Sequence, residues 1–191
     1  MAPSRMPAPL RRRLFVAVDL DDAARAFCAR AAERLRAKGW HARFVTPENY
    51  HLTVAFLGGV DEERIPAIAA ALHEVAPTIP PLGVALERVG AFPSERHPRV
   101  AWIGPRAPLP AFGTLCGVVR SALVVLGFSF DGNADPHVTL ARADKNSHGA
   151  LPAVEPPSTA TLHVDRLTLF QSFTERAGAH YEAIALFPLR R

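Results

Sequence analysis

Cysteine is nearly absent: Cys28 and Cys116 are the only two in a chain of 191 residues. Two cysteines cannot build a disulfide framework, and without a CxxC spacing they offer no zinc ribbon. Long apolar runs are missing too. The stretch Ala122-Leu123-Val124-Val125-Leu126 is far too short to cross a bilayer. A dominant charge is also lacking, since 22 Lys and Arg stand against 18 Asp and Glu, a net charge of +4 with histidine neutral. An excess that small is compatible with an anionic ligand and does not require one. No GxxxxGK[ST], GxGxxG, HExxH or GxSxG occurs, so P-loop, dinucleotide, zincin and α/β-hydrolase chemistry have no support in the sequence.

What is present is globular composition, 49% hydrophobic and 21% charged, in a chain long enough to bury a core. The start is rich in Pro and Ala, followed by Arg11-Arg12-Arg13 and the apolar Leu14-Phe15-Val16-Ala17-Val18, which ends at Asp19. Five apolar residues make a buried strand and not the core of a signal peptide. The expectation is a flexible leader over 1–12 and a single domain over 13–191, in a cytoplasmic, monomeric protein with no membrane partner.

Three segments carry helical periodicity. Asp21 is placed to cap a helix with Ala24, Phe27, Cys28, Ala31 and Leu35 on one face. Asp61 is placed to cap a second, with Ile65, Ile68, Ala69, Leu72 and Ala76 inward. A third spans about 109–126, with Phe112, Leu115, Cys116, Val119, Leu123 and Leu126 inward. Both cysteines fall on core faces and read as small buried hydrophobes. Strands are expected over residues 14–20, 50–57, 82–90, 99–104, 137–143, 161–171 and 180–187. Strands that follow one another directly suggest antiparallel pairing and an α/β or α+β class.

The order of elements repeats. A strand containing Leu14, a helix ending at Gly39 and a strand opening at His51 are echoed by Val100, Gly127 and His137. Leu14 to His51 and Val100 to His137 are each a separation of 37 residues. Overall identity between the halves is low, so the echo is structural. Two such units would face each other across a pseudo-twofold cleft.

Of eight histidines, two open the repeated strands in one frame: His51-Leu52-Thr53 and His137-Val138-Thr139. Residues i and i+2 of a strand share a face. Each copy therefore presents an imidazole beside a hydroxyl and turns Leu52 or Val138 to the core. Displacement at phosphorus needs a base for the attacking oxygen and an acid for the departing one, and two imidazoles can serve as both. Hydroxyls and a cation can hold the phosphate oxygens. A single His-x-Thr is noise; two matched copies are not. Metal ligation fits poorly, because Thr is a weak ligand and the nearest carboxylate, Asp135, lies just outside its strand. His41, His73, His163 and His180 lack any partner pattern, and His148 sits in a proline-rich loop over 145–157 with no motif of its own.

At these residues the sequence resembles the 2H phosphoesterases, specifically the bacterial and archaeal RNA 2′,3′-cyclic phosphodiesterases, also called 2′–5′ RNA ligase-like proteins. Asn49-Tyr50-His51-Leu52-Thr53-Val54-Ala55-Phe56-Leu57-Gly58 is similar to the first motif region, and Pro136-His137-Val138-Thr139-Leu140-Ala141-Arg142 to the second. Gly90-Ala91-Phe92-Pro93-Ser94, Pro98-Arg99-Val100 and Trp102 resemble the intervening segment. The opening Arg13-Leu14-Phe15-Val16-Ala17-Val18 and the closing stretch 181–189 resemble the family's ends. The resemblance covers nearly the whole chain from Arg13.

It implies a bilobal α+β fold of two pseudo-symmetric lobes, with mostly antiparallel strands, helices outside, and both His-x-Thr motifs facing a central cleft. It implies opening of RNA 2′,3′-cyclic phosphates to 2′-phosphomonoesters, with some members performing ATP-independent 2′–5′ ligation. No cofactor or metal is implied, and the partners would be RNA ends or tRNA fragments bearing the cyclic phosphate. Carried over, His51 is the general acid for the leaving 3′ oxygen, His137 the general base for water, Thr53 and Thr139 phosphate ligands, and Arg142 an added cation. In an unbroken strand Arg142, five residues from His137, lies on the opposite face, so this role demands a bulge or twist. Arg43, Phe44 and Phe92 lie near the motifs and are candidate RNA contacts by charge or stacking; the phenylalanines could equally be core. Two other readings stay open: a phosphodiesterase on another small cyclic phosphate or a 2′–5′ oligonucleotide, and a non-catalytic RNA-end-binding protein.

Overall fold

The computed structural model describes residues 10–132, 134–144, 147–175 and 178–190. The first nine residues of the expected leader lie outside them. β1 (Arg11–Asp19) already begins at Arg11, because Arg11 and Arg12 pair with Asp61 and Val60 of a neighbouring strand. Its Leu14, Val16 and Val18 enter the main core, while Phe15 and Ala17 form a separate cluster with Phe170 on the other face.

α1 (Asp22–Ala37) follows, capped by the Asp21 carboxylate, which accepts from the Ala24 amide at 2.7 Å. β2 (Arg43–Phe44), a short 3₁₀ turn (Pro47–Asn49) and β3 (His51–Asp61) come next. The expected Asp61 cap is not made. Asp61 ends β3, a 3₁₀ turn (Glu62–Arg64) intervenes, and α2 (Ile65–Val75) starts after Arg64 with no side-chain cap. The Asp61 carboxylate instead meets Arg11 at 3.4 Å. The predicted strand over 82–90 is two, β4 (Leu82–Leu86) and β5 (Arg88–Pro93). β6 (Pro98–Gly104), α3 (Pro110–Val124) and β7 (Val138–Arg142) form the second repeat unit. The strand over 161–171 also divides, into β8 (Ala160–Val164) and β9 (Arg166–Glu175), before β10 (Gly178–Pro188).

The class is α+β with antiparallel ladders. One sheet runs β10-β9-β1-β3-β7-β6-β5, with β2 added against β7, and β4 pairs with β8 separately. The two β-α-β units, β1-α1-β3 and β6-α3-β7, meet where β3 pairs with β7 through the single register pair Leu52↔Val138. Both residues are fully buried. On that face the helices supply Phe27, Ile68, Leu72, Phe112, Leu115 and Leu123 to the core. The opposite face of the sheet is left for the site.

Candidate active site

The Leu52↔Val138 pair acts as the axis of the site. Continuing this antiparallel register by one residue each way sets His51 across from Thr139 and Thr53 across from His137. Directly opposed residues lie about 4.5–5.5 Å apart at Cβ. Two imidazoles and two hydroxyls thus form a diagonal quartet on one face, and all four side chains are half-buried.

The same backbone device orients both rings. His51 Nδ1 donates to the Asn49 carbonyl at 2.7 Å, and His137 Nδ1 donates to the Asp135 carbonyl at 2.8 Å. A carbonyl only accepts, so each neutral imidazole carries its proton on Nδ1 and leaves Nε2 as the free, basic nitrogen. Aromatic rings hold the imidazoles from the side. Phe15 lies 4.9 Å from His51, with Tyr181 edge-on at 5.2 Å, while Phe92 stands edge-on to His137 at 4.9 Å. Burial among these rings pushes the His51 pKa down to about 4, and nearby Arg142 and His137 push the same way; the Asn49 carbonyl and Asp19 oppose them. His137 is lowered for the same first reason, burial, with Arg142 adding to it and the Asp135 carbonyl opposing.

Arg142 reaches the site face by a bulge. Trp102 pairs with Thr139 but Ala101 pairs with Ala141, which leaves Leu140 as the extra residue of β7. Leu140 and Ala141 both turn inward and are fully buried, so Arg142 emerges beside the quartet, exposed. β3 does the same: Ala17 pairs with Thr53 and Val16 with Ala55, leaving Val54 extra. Val54 and Ala55 are buried and Phe56 emerges, 63% exposed. The repeated frame is therefore six residues long, His-Leu-Thr-Val-Ala-Phe against His-Val-Thr-Leu-Ala-Arg. The bulge expected for Arg142 is present, and its counterpart in β3 brings Phe56, which the sequence reading did not single out, to the same face.

Beside His51 lies an open cleft of about 540 Å³, lined by Arg43 and Arg142 at one part and by Phe15, Phe56 and Tyr181 at another. Beside His137 is a smaller pocket of about 130 Å³ between Phe92, Trp102 and Asp135. The candidates for RNA contact separate accordingly. Arg43, register partner of Arg142, lines the larger cleft. Phe44 turns the other way, under the Arg36 guanidinium at 4.5 Å and against the core. Phe92 packs on His137 and Trp102. Tyr181 arrives from a hairpin 130 residues after His51, a contact no local pattern announces. Asn49 fixes that hairpin, its amide donating to the Ala179 carbonyl at 2.7 Å. Among the described residues no three His, Cys, Asp or Glu side chains converge in a cation-holding group.

Residues 18–102 match the family model described as LigT-like phosphoesterase. The chain is 34% identical over 178 residues to the RNA 2′,3′-cyclic phosphodiesterase of Archaeoglobus fulgidus, covering 92% of this chain and 99% of that one. The chain belongs to the LigT-like phosphoesterase family. Its fold agrees with this membership. The structure of E. coli LigT complexed with 3′-AMP superposes with a TM-score of 0.79 at 27% identity, over 95% of this chain and all of that one. A solved structure from Thermus thermophilus gives 0.79 at 31%, over 93% and 98%.

Proposed function

We propose that this LigT-like phosphoesterase hydrolyses the 2′,3′-cyclic phosphate at RNA ends to a 2′-phosphomonoester, with His51 as general acid and His137 as general base. The observation that carries the reading is the diagonal quartet with both Nε2 atoms freed toward one face. The substrate class is supported by the names of relatives, RNA 2′,3′-cyclic phosphodiesterases of Archaeoglobus fulgidus and Thermotoga maritima.

In the hydrolytic step, His137 Nε2 takes a proton from water as its oxygen attacks phosphorus. The P–O3′ bond breaks, and protonated His51 delivers its Nε2 proton to the departing 3′ oxygen. Thr53, Thr139 and Arg142 hold the non-bridging oxygens as charge builds. The assignment of roles is the one the family resemblance implies, and size supports it: the 540 Å³ cleft beside His51 has room for the nucleoside that bears O3′, and the 130 Å³ pocket beside His137 has room for water. A strand's 5′-hydroxyl in the place of water would give a 2′–5′ link with no ATP.

His51 must be protonated to act, yet burial holds its free pKa near 4. The phosphodiester anion, seated against it, favours the imidazolium and raises that pKa on binding. Substrate therefore arms its own acid.

An oligonucleotide ending in 2′,3′-cyclic phosphate, incubated with the protein in EDTA, should yield a 2′-phosphate end. A 3′-phosphate product, no turnover, or turnover abolished by chelation would each overturn the reading.

A further inference from the structure

The chain carries Arg11-Arg12-Arg13 on β1, and the three have different surroundings. Arg11 meets Asp61 at 3.4 Å and donates to the Gly59 carbonyl at 2.6 Å. Arg12 meets Glu62 at 2.5 Å and Gln171 at 2.8 Å. Arg13 is exposed and, among the described residues, has no carboxylate or hydrogen-bond partner. It lines the same continuous cleft as His51, Phe56 and Arg142, a cleft with no acidic side chain on its walls among the described residues. Its position along the strand is defined: β1 pairs with β9 without a shift from Arg13 to Ala17, and the two register shifts against β3 put their extra residues, Leu57 and Val54, on β3. Arg13, Phe15 and Ala17 therefore share the site face, and Ala17 is the register partner of Thr53. Arg13 thus stands four residues from the quartet, about 13 Å along the strand, with Phe15 and the exposed Phe56 ring in between. Ser172, its register partner on β9, brings a hydroxyl to the same spot.

We infer that Arg13, with Ser172 beside it, forms a second anion subsite, which takes the phosphodiester on the 5′ side of the terminal nucleoside while the quartet holds the cyclic phosphate. The inference rests on the function proposed above and narrows the substrate to ends that carry an upstream phosphate, as against free nucleoside cyclic phosphates. The chemistry is that of a guanidinium and a hydroxyl on phosphate oxygens. The rings between supply an apolar floor for the sugar and base.

The test compares two substrates that differ only in that phosphate: adenosine 2′,3′-cyclic monophosphate, and the same nucleotide bearing a 5′-phosphate. The wild-type protein should favour the 5′-phosphorylated substrate by about tenfold in kcat/KM, the worth of one charge-assisted contact. Arg13→Gln should abolish that preference and leave turnover of the unphosphorylated nucleotide unchanged. For a longer cyclic-phosphate RNA, Arg13→Gln should lower the log–log salt slope by about 0.7. No preference in the wild type, a preference that survives Arg13→Gln, or equal losses on both substrates would overturn the inference. Calorimetric binding of adenosine 2′,5′-bisphosphate against adenosine 2′-monophosphate reads the subsite without turnover. Arg13-dependent binding in a protein that turns over neither substrate would sustain the subsite and sink the proposed function. Turnover of both without Arg13 dependence would do the reverse.

Discussion

At the scale of single residues, the two histidines share a geometry but not an environment. His51→Gln and His137→Gln should each lower kcat by about 10²–10⁴-fold, with far-UV circular dichroism unchanged because both side chains face the cleft; residual activity near wild type in either would refute the two-histidine mechanism. The pH dependence follows from the low pKa of free His51. In the proposed mechanism His51 acts in its protonated form, so the alkaline limb of the rate profile should report loss of that proton. The profile of kcat/KM reports the free enzyme and that of kcat the complex. With the bound phosphate raising the pKa, the alkaline limb of kcat should lie at higher pH than that of kcat/KM; coincident limbs would show that substrate does not arm the acid.

At the scale of elements, the site depends on irregularities in otherwise regular strands. The bulges at Val54 and Leu140 change the parity of β3 and β7, and without them Phe56 and Arg142 would enter the core. The turn before His137 is set by contact with β6. A Cβ on Gly104 would lie 2.6 Å from the Pro136 carbonyl oxygen, a backbone atom with no flexible end to give way. Gly104→Ala should therefore displace His137 and lower kcat by roughly a hundredfold, the cost of about 1 Å of misplacement; kinetics at wild-type level would show that the turn can yield. Asp21→Ala is the contrasting case. It removes the α1 cap and should cost about 1 kcal/mol in denaturant unfolding while leaving kcat unaltered.

At the scale of the whole molecule, the buried imidazoles tie stability to pH. Unfolded histidine titrates near 6.5, whereas folded His51 titrates at about 4. Between those values the unfolded chain holds the additional proton, so the unfolding free energy should fall as pH drops from about 6.5 to about 4 and then level off for this group. His137, shifted the same way, adds to the fall. His51→Gln should flatten the dependence in urea unfolding measured across that range; an unchanged slope would place the origin elsewhere. The sequence by itself determined the duplicated order of elements, the capped α1 and the paired His-x-Thr frames, because periodicity of 2 and 3.6 and local capping are written in neighbouring residues. It misplaced the Asp61 cap because the competing partner, Arg11, is 50 residues away in the chain. Tertiary structure alone decided that the two frames meet at Leu52 and Val138, that bulges bring Phe56 and Arg142 to the site face, and that Tyr181 closes on His51. Strand pairing, register and the burial that lowers the histidines are relations between distant segments, and no local pattern of side chains encodes them.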